Sequence, residues 1–156
     1  MTQKPTANYL VLGKNGQLGR CLVRSLAASA GCELVAAYGH DELNLGDRDA
    51  IFRMSVEPKN EAPLWVLNAA AYTAVDLCES ELDACMAVNG AGPGHLAEWC
   101  ALNDASLVHV STDYVFAGDA STPYKESDEP APRTAYGTSK LEGERRVCAT
   151  LPTAWI

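Results

Sequence analysis

The stretch Tyr9-Leu10-Val11-Leu12-Gly13-Lys14-Asn15-Gly16-Gln17-Leu18-Gly19-Arg20 decides the fold of this 156-residue chain. Its first four residues are an apolar run closed by glycine, the pattern of a buried strand. Gly13, Gly16 and Gly19 then give G-x-x-G-x-x-G. Leu18, Leu22 and Leu26 follow at i, i+4 and i+8, the period of a helix. Strand, glycine turn and helix together form a phosphate cradle. Glycine lets the backbone turn tightly and come close to a pyrophosphate. The helix N-terminus adds free N–H groups and a partial positive charge.

The same alternation runs outward from there. Residues 33–37 read as a second strand, and a weaker helix lies around 47–55. Residues 64–70, LWVLNAA, are a third strand, apolar enough to be buried on both faces. Residues 79–102 read as one long helix bent near Gly90–Gly94, and 107–111 as a fourth strand. A proline- and glycine-bearing loop covers 117–135. A helix follows it, and 153–156 open another strand. Strands alternating with helices imply an α/β fold: a Rossmann-like, doubly wound parallel sheet. The expected organisation is one NAD(P)-binding domain over 1–156. Because a strand opens as the chain stops, it is expected to be the N-terminal part of a longer protein, cut before its substrate-binding portion.

Composition narrows the function classes. The chain is 47% hydrophobic and 21% charged, with a formal net charge of −8 and no lysine/arginine cluster. That balance argues against nucleic acid or an anionic membrane as partner. No apolar run reaches membrane-spanning length. The start, MTQKPTANYLVLG, has no long apolar core of a secretory signal. Six cysteines occur without a C-x-x-C pair or a Cys/His set of zinc spacing, so no metal site is expected. Reduced thiols in a cytoplasmic protein are the expectation.

Two strand ends carry candidate sites. Ligands of open α/β sheets bind at the carboxyl ends of the strands. Small residues at Asn68-Ala69-Ala70-Ala71-Tyr72-Thr73 would let a ligand lie against the backbone there. Ser111-Thr112-Asp113 places a hydroxyl at the end of the fourth strand. Tyr136 and Lys140 lie four residues apart, on one face of a helix. A neighbouring ammonium favours phenolate and makes a tyrosine a usable proton donor. Thr112, Tyr136 and Lys140 thus compose a set suited to hydride transfer onto a ketone, with Thr112 orienting the oxygen and Tyr136 giving the proton. The second strand ends Ala37-Tyr38-Gly39-His40 with no acid at its tip, which permits NADPH beside NADH.

These blocks together resemble the dTDP-4-dehydrorhamnose reductase family of the extended short-chain dehydrogenase/reductase superfamily. The residues that carry the likeness are GKNGQLGR at 13–20, NAAAYTAVD at 68–76, HVSTDYVFAGD at 109–119, PYKESDEPAP at 123–132 and YGTSKLEGER at 136–145. The resemblance implies NAD(P)H-dependent reduction of the 4-keto group of dTDP-4-dehydro-β-L-rhamnose, a nucleotide sugar, to dTDP-L-rhamnose. It implies cofactor contacts at Gly13, Gly16, Gln17, Leu18, Gly19, Asn44, Leu45, Ala70, Ala71, Tyr72, Thr73, Tyr136 and Lys140. It implies catalysis by Thr112, Tyr136 and Lys140, and substrate contacts at Thr112, Asp113 and Trp155. Asn44 stands where the family commonly has Asp, and Pro152 replaces an Arg. A homodimer of the full-length form is compatible with the likeness. Cys21, where many members carry a Glu that helps hold magnesium, counts against a metal-linked one. Two other readings compete: a nucleotide-sugar epimerase or dehydratase of the superfamily, and a non-catalytic regulator resembling the β subunit of methionine adenosyltransferase. The glycine motif lacks the Thr-Gly-x-x-Gly opening of the former, and the NAAAYTAVD block follows the reductase pattern rather than the latter.

Overall fold

The structure, a computed structural model, describes residues 6–156. Residues 1–5 of the expected domain, and with them the first part of the segment read as carrying no secretory signal, lie outside the described residues. Strands β1 (Ala7–Leu12), β2 (Cys32–Tyr38), β3 (Leu64–Asn68) and β4 (Ala105–His109) form one parallel sheet in the order β2-β1-β3-β4. Parallel neighbours require crossovers, and helices supply them. They are α1 (Gln17–Ala28), α2 (Arg48–Arg53), α3 (Val75–Cys78), α4 (Leu82–Cys85), α5 (Gly92–Leu102) and α6 (Ala135–Thr150).

Strand alternation divides the sheet into two faces. Leu10, Leu12, Val66 and Leu107 pack with Leu96 and Trp99 of α5, Ile51 of α2 and Val147 of α6 in the main core. Val11 points the other way, toward the α1 side, where Leu26 is buried. Helices therefore cover both faces, the doubly wound arrangement expected from the sequence. The expected fifth strand is a single parallel bridge, Trp155 beside Val108, in which His109 N–H donates to Trp155 O at 2.8 Å.

One expected element differs. The long helix over 79–102 is broken into α4, a π-helical stretch at Met86–Ala91, and α5. The π stretch turns the Asn89 side chain inward. Its Oδ1 accepts from Tyr72 N–H at 2.8 Å, and its Nδ2 donates to Tyr72 O at 3.0 Å and to Ser139 Oγ at 3.1 Å. One buried amide thus ties the loop after β3 to α6. Such single-turn π insertions are frequent at functional sites.

Gly143 lets α6 lie close to this stretch. A Cβ there would run into the Asn89 carbonyl oxygen, with Pro93 Cγ also within 3.3 Å. Overpacking of this kind costs about 1–3 kcal/mol. Gly143→Ala is expected to lower the unfolding free energy read from denaturant titration accordingly, whereas Ala at the exposed neighbour Arg145 should change that free energy by less than about 0.5 kcal/mol.

Candidate functional site

The order in which strands are added reverses between β1 and β3, since β2 lies on one side of β1 and β3 on the other. In such sheets the crevice outside the carboxyl ends of the two strands is the binding place. A cleft of about 860 Å³ opens there. Gly13, Gly16, Gln17 and Leu18 line it from the first loop, and Ala70, Ala71 and Thr73 from the third strand end. Leu45, Tyr136 and Lys140 also line it.

Gly13 takes φ +81° and packs so closely that a Cβ would lie 2.7 Å from the backbone of Ala69 and Ala70. Its N–H and that of Lys14 both donate to Tyr38 O, at 2.9 and 3.1 Å, which ties the loop to the end of β2. Helix α1 starts with no side-chain cap and no acidic residue in its first turn. Its leading N–H groups are therefore available to an anion. The donor set and the bare backbone of the strand ends fit the pyrophosphate of a dinucleotide. No group of three or more His, Cys, Asp or Glu side chains that could hold a metal ion occurs among the described residues.

The tip of β2 corrects the sequence reading. An acid does stand there, brought back by the turn after the strand. Glu42 Oε2 accepts from Gly39 N–H at 2.8 Å, and Oε1 pairs with Lys14 Nζ at 2.6 Å. Lys14, followed by the Gly39 N–H, holds this carboxyl below its ordinary range.

Thr134 caps α6 by accepting from Gly137 N–H at 3.0 Å, which puts Tyr136 in the first turn. The Tyr136 ring meets Tyr114 edge-on, centroids 5.6 Å apart. Burial pushes the Tyr136 phenol above its ordinary value, a hydrogen bond with Thr112 pulls it back, and the charges of Cys78, Cys85 and Asp113 push it up again. The expected lowering by Lys140 does not appear. Lys140 points instead to the sheet, 1% exposed, with Nζ donating to Val110 O at 2.7 Å and 3.3 Å from His109 Nε2. Burial brings its ammonium down to about 8, against a smaller upward pull from Glu144. His109 is pushed down to about 3, by burial first and then by Lys140, so its imidazole is neutral. Asn68 Nδ2 meets His109 Nδ1 at 2.9 Å behind it.

Other expected residues lie away from the cleft wall. Gly19 is buried against the Gly13 backbone and acts in packing. Tyr72 turns its phenol to Glu81, 2.5 Å away, and only its backbone is tied to the site through Asn89. Asn44 folds onto its own turn, Oδ1 accepting from Gly46 N–H at 2.9 Å. Thr112 and Asp113 begin the 3₁₀ turn 113–115 beside Tyr136, Thr112 Oγ1 accepting from Tyr114 N–H at 3.3 Å. Trp155 is 66% exposed at the sheet edge. Sequence reasoning missed Glu42, Asn89, His109 and Ser139 as site residues. For Asn89 and His109 a signal was present: a polar residue inside an otherwise apolar run.

Residues 7–156 match the family model described as RmlD substrate binding domain. The chain is 42% identical over its whole length to the dTDP-4-dehydrorhamnose reductase of Streptomyces griseus, covering 52% of that protein. It is 46% identical over 95% of its length to the probable dTDP-4,6-dihydroxy-2-methyloxan-3-one 4-ketoreductase of Streptomyces antibioticus, covering 49% of it. The crystal structure of the Bacillus anthracis dTDP-4-dehydrorhamnose reductase in complex with NADP superposes with a TM-score of 0.84 at 30% identity, over 97% of this chain and 52% of that one. The chain spans about half the length of the curated relatives it matches.

The Thr112 hydroxyl is the group that favours the charged form of Tyr136. Thr112→Val is therefore expected to move the Tyr136 titration further upward. Tyrosine ¹³Cζ shifts followed against pH read this out; no displacement, or a downward one, would contradict the pairing.

Proposed function

This chain belongs to the dTDP-4-dehydrorhamnose reductase family, and on that footing we propose that it forms the cofactor-binding, catalytic half of an NAD(P)H-dependent reductase of dTDP-4-dehydro-β-L-rhamnose. The observation that carries the reading is the convergence of the glycine loop, Tyr136 and Lys140 on one cleft at the sheet's switch point. The product is dTDP-L-rhamnose, made in the cytoplasm.

Each residue has a stated part. The α1 N-terminus and Gly16, Gln17 and Leu18 bind the pyrophosphate. The chain past Ala70 and Ala71 leaves room for the nicotinamide half, and Leu45 with Asn44 borders the adenine end. The bound dihydronicotinamide supplies the hydride that adds to C4. Tyr136 gives its proton to O4 as charge develops there, and Thr112 donates a hydrogen bond to the same oxygen. The Tyr136 proton is restored from solvent. Lys140 reaches the nicotinamide ribose. Asp113 and Trp155 contact the sugar nucleotide, whose remaining contacts come from the half of the relatives' length that this chain does not span, in a protein able to form a homodimer.

Tyr136→Phe tests this directly. In the full-length protein given NADPH and the 4-keto sugar nucleotide, loss of the proton donor should lower kcat by about 10²-fold or more while cofactor affinity is retained. Equal turnover by the two proteins would remove Tyr136 from the chemistry, and no turnover by either with NADPH or with NADH, across 4-keto dTDP-sugars, would remove the function.

Glu42 makes a separate expectation about the cofactor. Its carboxylate at the β2 tip suits a ribose 2′-hydroxyl and repels a 2′-phosphate. Glu42→Gln also releases Lys14. The NADPH-to-NADH affinity ratio is expected to rise by roughly tenfold, measured by fluorescence titration of the two reduced cofactors.

A further inference from the structure

A chain of buried hydrogen bonds runs from the sheet into the cleft at Lys140, and its direction can be read. Asn68 and His109 are register partners on β3 and β4, so their side chains stand side by side on one face. Both are essentially inaccessible, at 0% and 1% exposure. The Asn68 amide has one orientation compatible with its surroundings, because its Oδ1 accepts from Ala70 N–H at 3.1 Å. The reverse placement would set an NH₂ against that N–H donor. Asn68 Nδ2 therefore donates to His109 Nδ1, 2.9 Å away. A neutral imidazole whose Nδ1 accepts must carry its proton on Nε2. That N–H faces Lys140 Nζ at 3.3 Å. An ammonium has three donors and no acceptor, so it would meet His109 donor to donor. A neutral amine has the lone pair to accept from Nε2–H and still donates to Val110 O at 2.7 Å.

The geometry points to Lys140 being held as the neutral amine by the Asn68–His109 chain, with a proton taken up at Nζ when the dinucleotide binds. The second half of this rests on the proposed function; the first does not. Burial, which brings Lys140 down to about 8, acts in the same direction as the His109 N–H.

The titratable groups around Lys140 are His109 from β4 and, on α6, Tyr136 one turn earlier and Glu144 one turn later. Glu144 favours the ammonium, but its carboxylate is engaged with Ser111 Oγ. Asp113, Cys78 and Cys85 act on Tyr136 rather than on Lys140. As an amine, Lys140 brings no charge to Tyr136, consistent with a phenol that sits above its ordinary value. Proton uptake would create that charge where the ribose hydroxyls supply new acceptors. One N–H bond forms at Nζ, and the proton comes from solvent. Asn68 and His109 are thus positioning residues that set the protonation state of a third.

The test has a cofactor-free arm and a binding arm. In the protein with ¹⁵N-labelled lysine, Nζ of Lys140 is expected to titrate below the value of about 8 that burial brings, so that it is mostly amine at neutral pH, whereas ordinary lysines titrate near ~10.4. Asn68→Asp keeps the shape but demands a proton on His109 Nδ1, turning Nε2 into an acceptor, and should raise the Lys140 titration by roughly one to three pH units. An Nζ that titrates at about 8 or above in the unaltered protein overturns the proposal even if the variant does not fold. So does an Asn68→Asp protein that folds and titrates unchanged. In the binding arm, NADPH is titrated calorimetrically near pH 8.5 in buffers of different ionisation enthalpy. Net proton uptake that Asn68→Asp reduces supports the coupling. Binding with no uptake overturns the coupling alone, and absence of binding by both NADPH and NADH overturns it together with the proposed cofactor.

Discussion

Leu12, Asn68 and His109 stand side by side at the ends of β1, β3 and β4, paired in register across three parallel strands. Parallel pairing aligns the strand ends in one direction, and the crossovers return every helix to begin near that edge. The glycine loop leaves β1 there, the alanine run leaves β3, and Ser111-Thr112 leaves β4. A slip of one residue in either pairing would turn Asn68 or His109 to the opposite face. The cleft, the contact between them and the placing of Lys140 depend on this alignment.

Close backbone approach is the second constraint, and the residues that permit it are small. Gly13 sits against the Ala69–Ala70 backbone, and Gly137 lies where a Cβ would strike the Tyr114 carbonyl. These contacts bring the first loop, the end of β3 and the start of α6 around one space. Asn89 then supplies the polar link that the small residues cannot, joining Tyr72 to Ser139 across the core. Its amide is 1% exposed yet has partners for both ends. Buried polar groups are tolerated on that condition.

The electrostatics of the site come from burial more than from ion pairing. The ion pairs among the described residues sit on the surface, Lys14 with Glu42 and Arg146 with Glu142 among them, and contribute little each. Burial instead moves Tyr136 up and Lys140 down, toward their neutral forms. Side chains shifted in those directions are not locked as a phenolate–ammonium pair. The four-residue spacing puts both on the cleft wall. The direction each side chain takes from there is set by what packs against it.

Much of this was legible in the residues. The apolar run 9–12 before Gly13, the leucine period after it and the strand–helix alternation determined the α/β class, because local periodicity reports which face of an element is buried. The glycine spacing and the Tyr136/Lys140 pair located both halves of the cleft for a similar reason: motifs of short range keep their geometry wherever the element goes. Element ends were less legible, as with the π stretch inside the expected helix 79–102, since that turn is shaped by Asn89 reaching partners far along the chain. Glu42 shows the same limit. No acid follows Tyr38 directly, yet the turn brings a carboxylate back to Gly39 N–H. The sequence by itself therefore determined the fold class, the glycine loop at the sheet edge and the residue types available for chemistry. Only the tertiary structure decided that Lys140 faces His109 rather than Tyr136, and that Asn68 stands behind both. Donor and acceptor directions depend on the register of strands whose residues are 41 positions apart, and no local pattern carries that information.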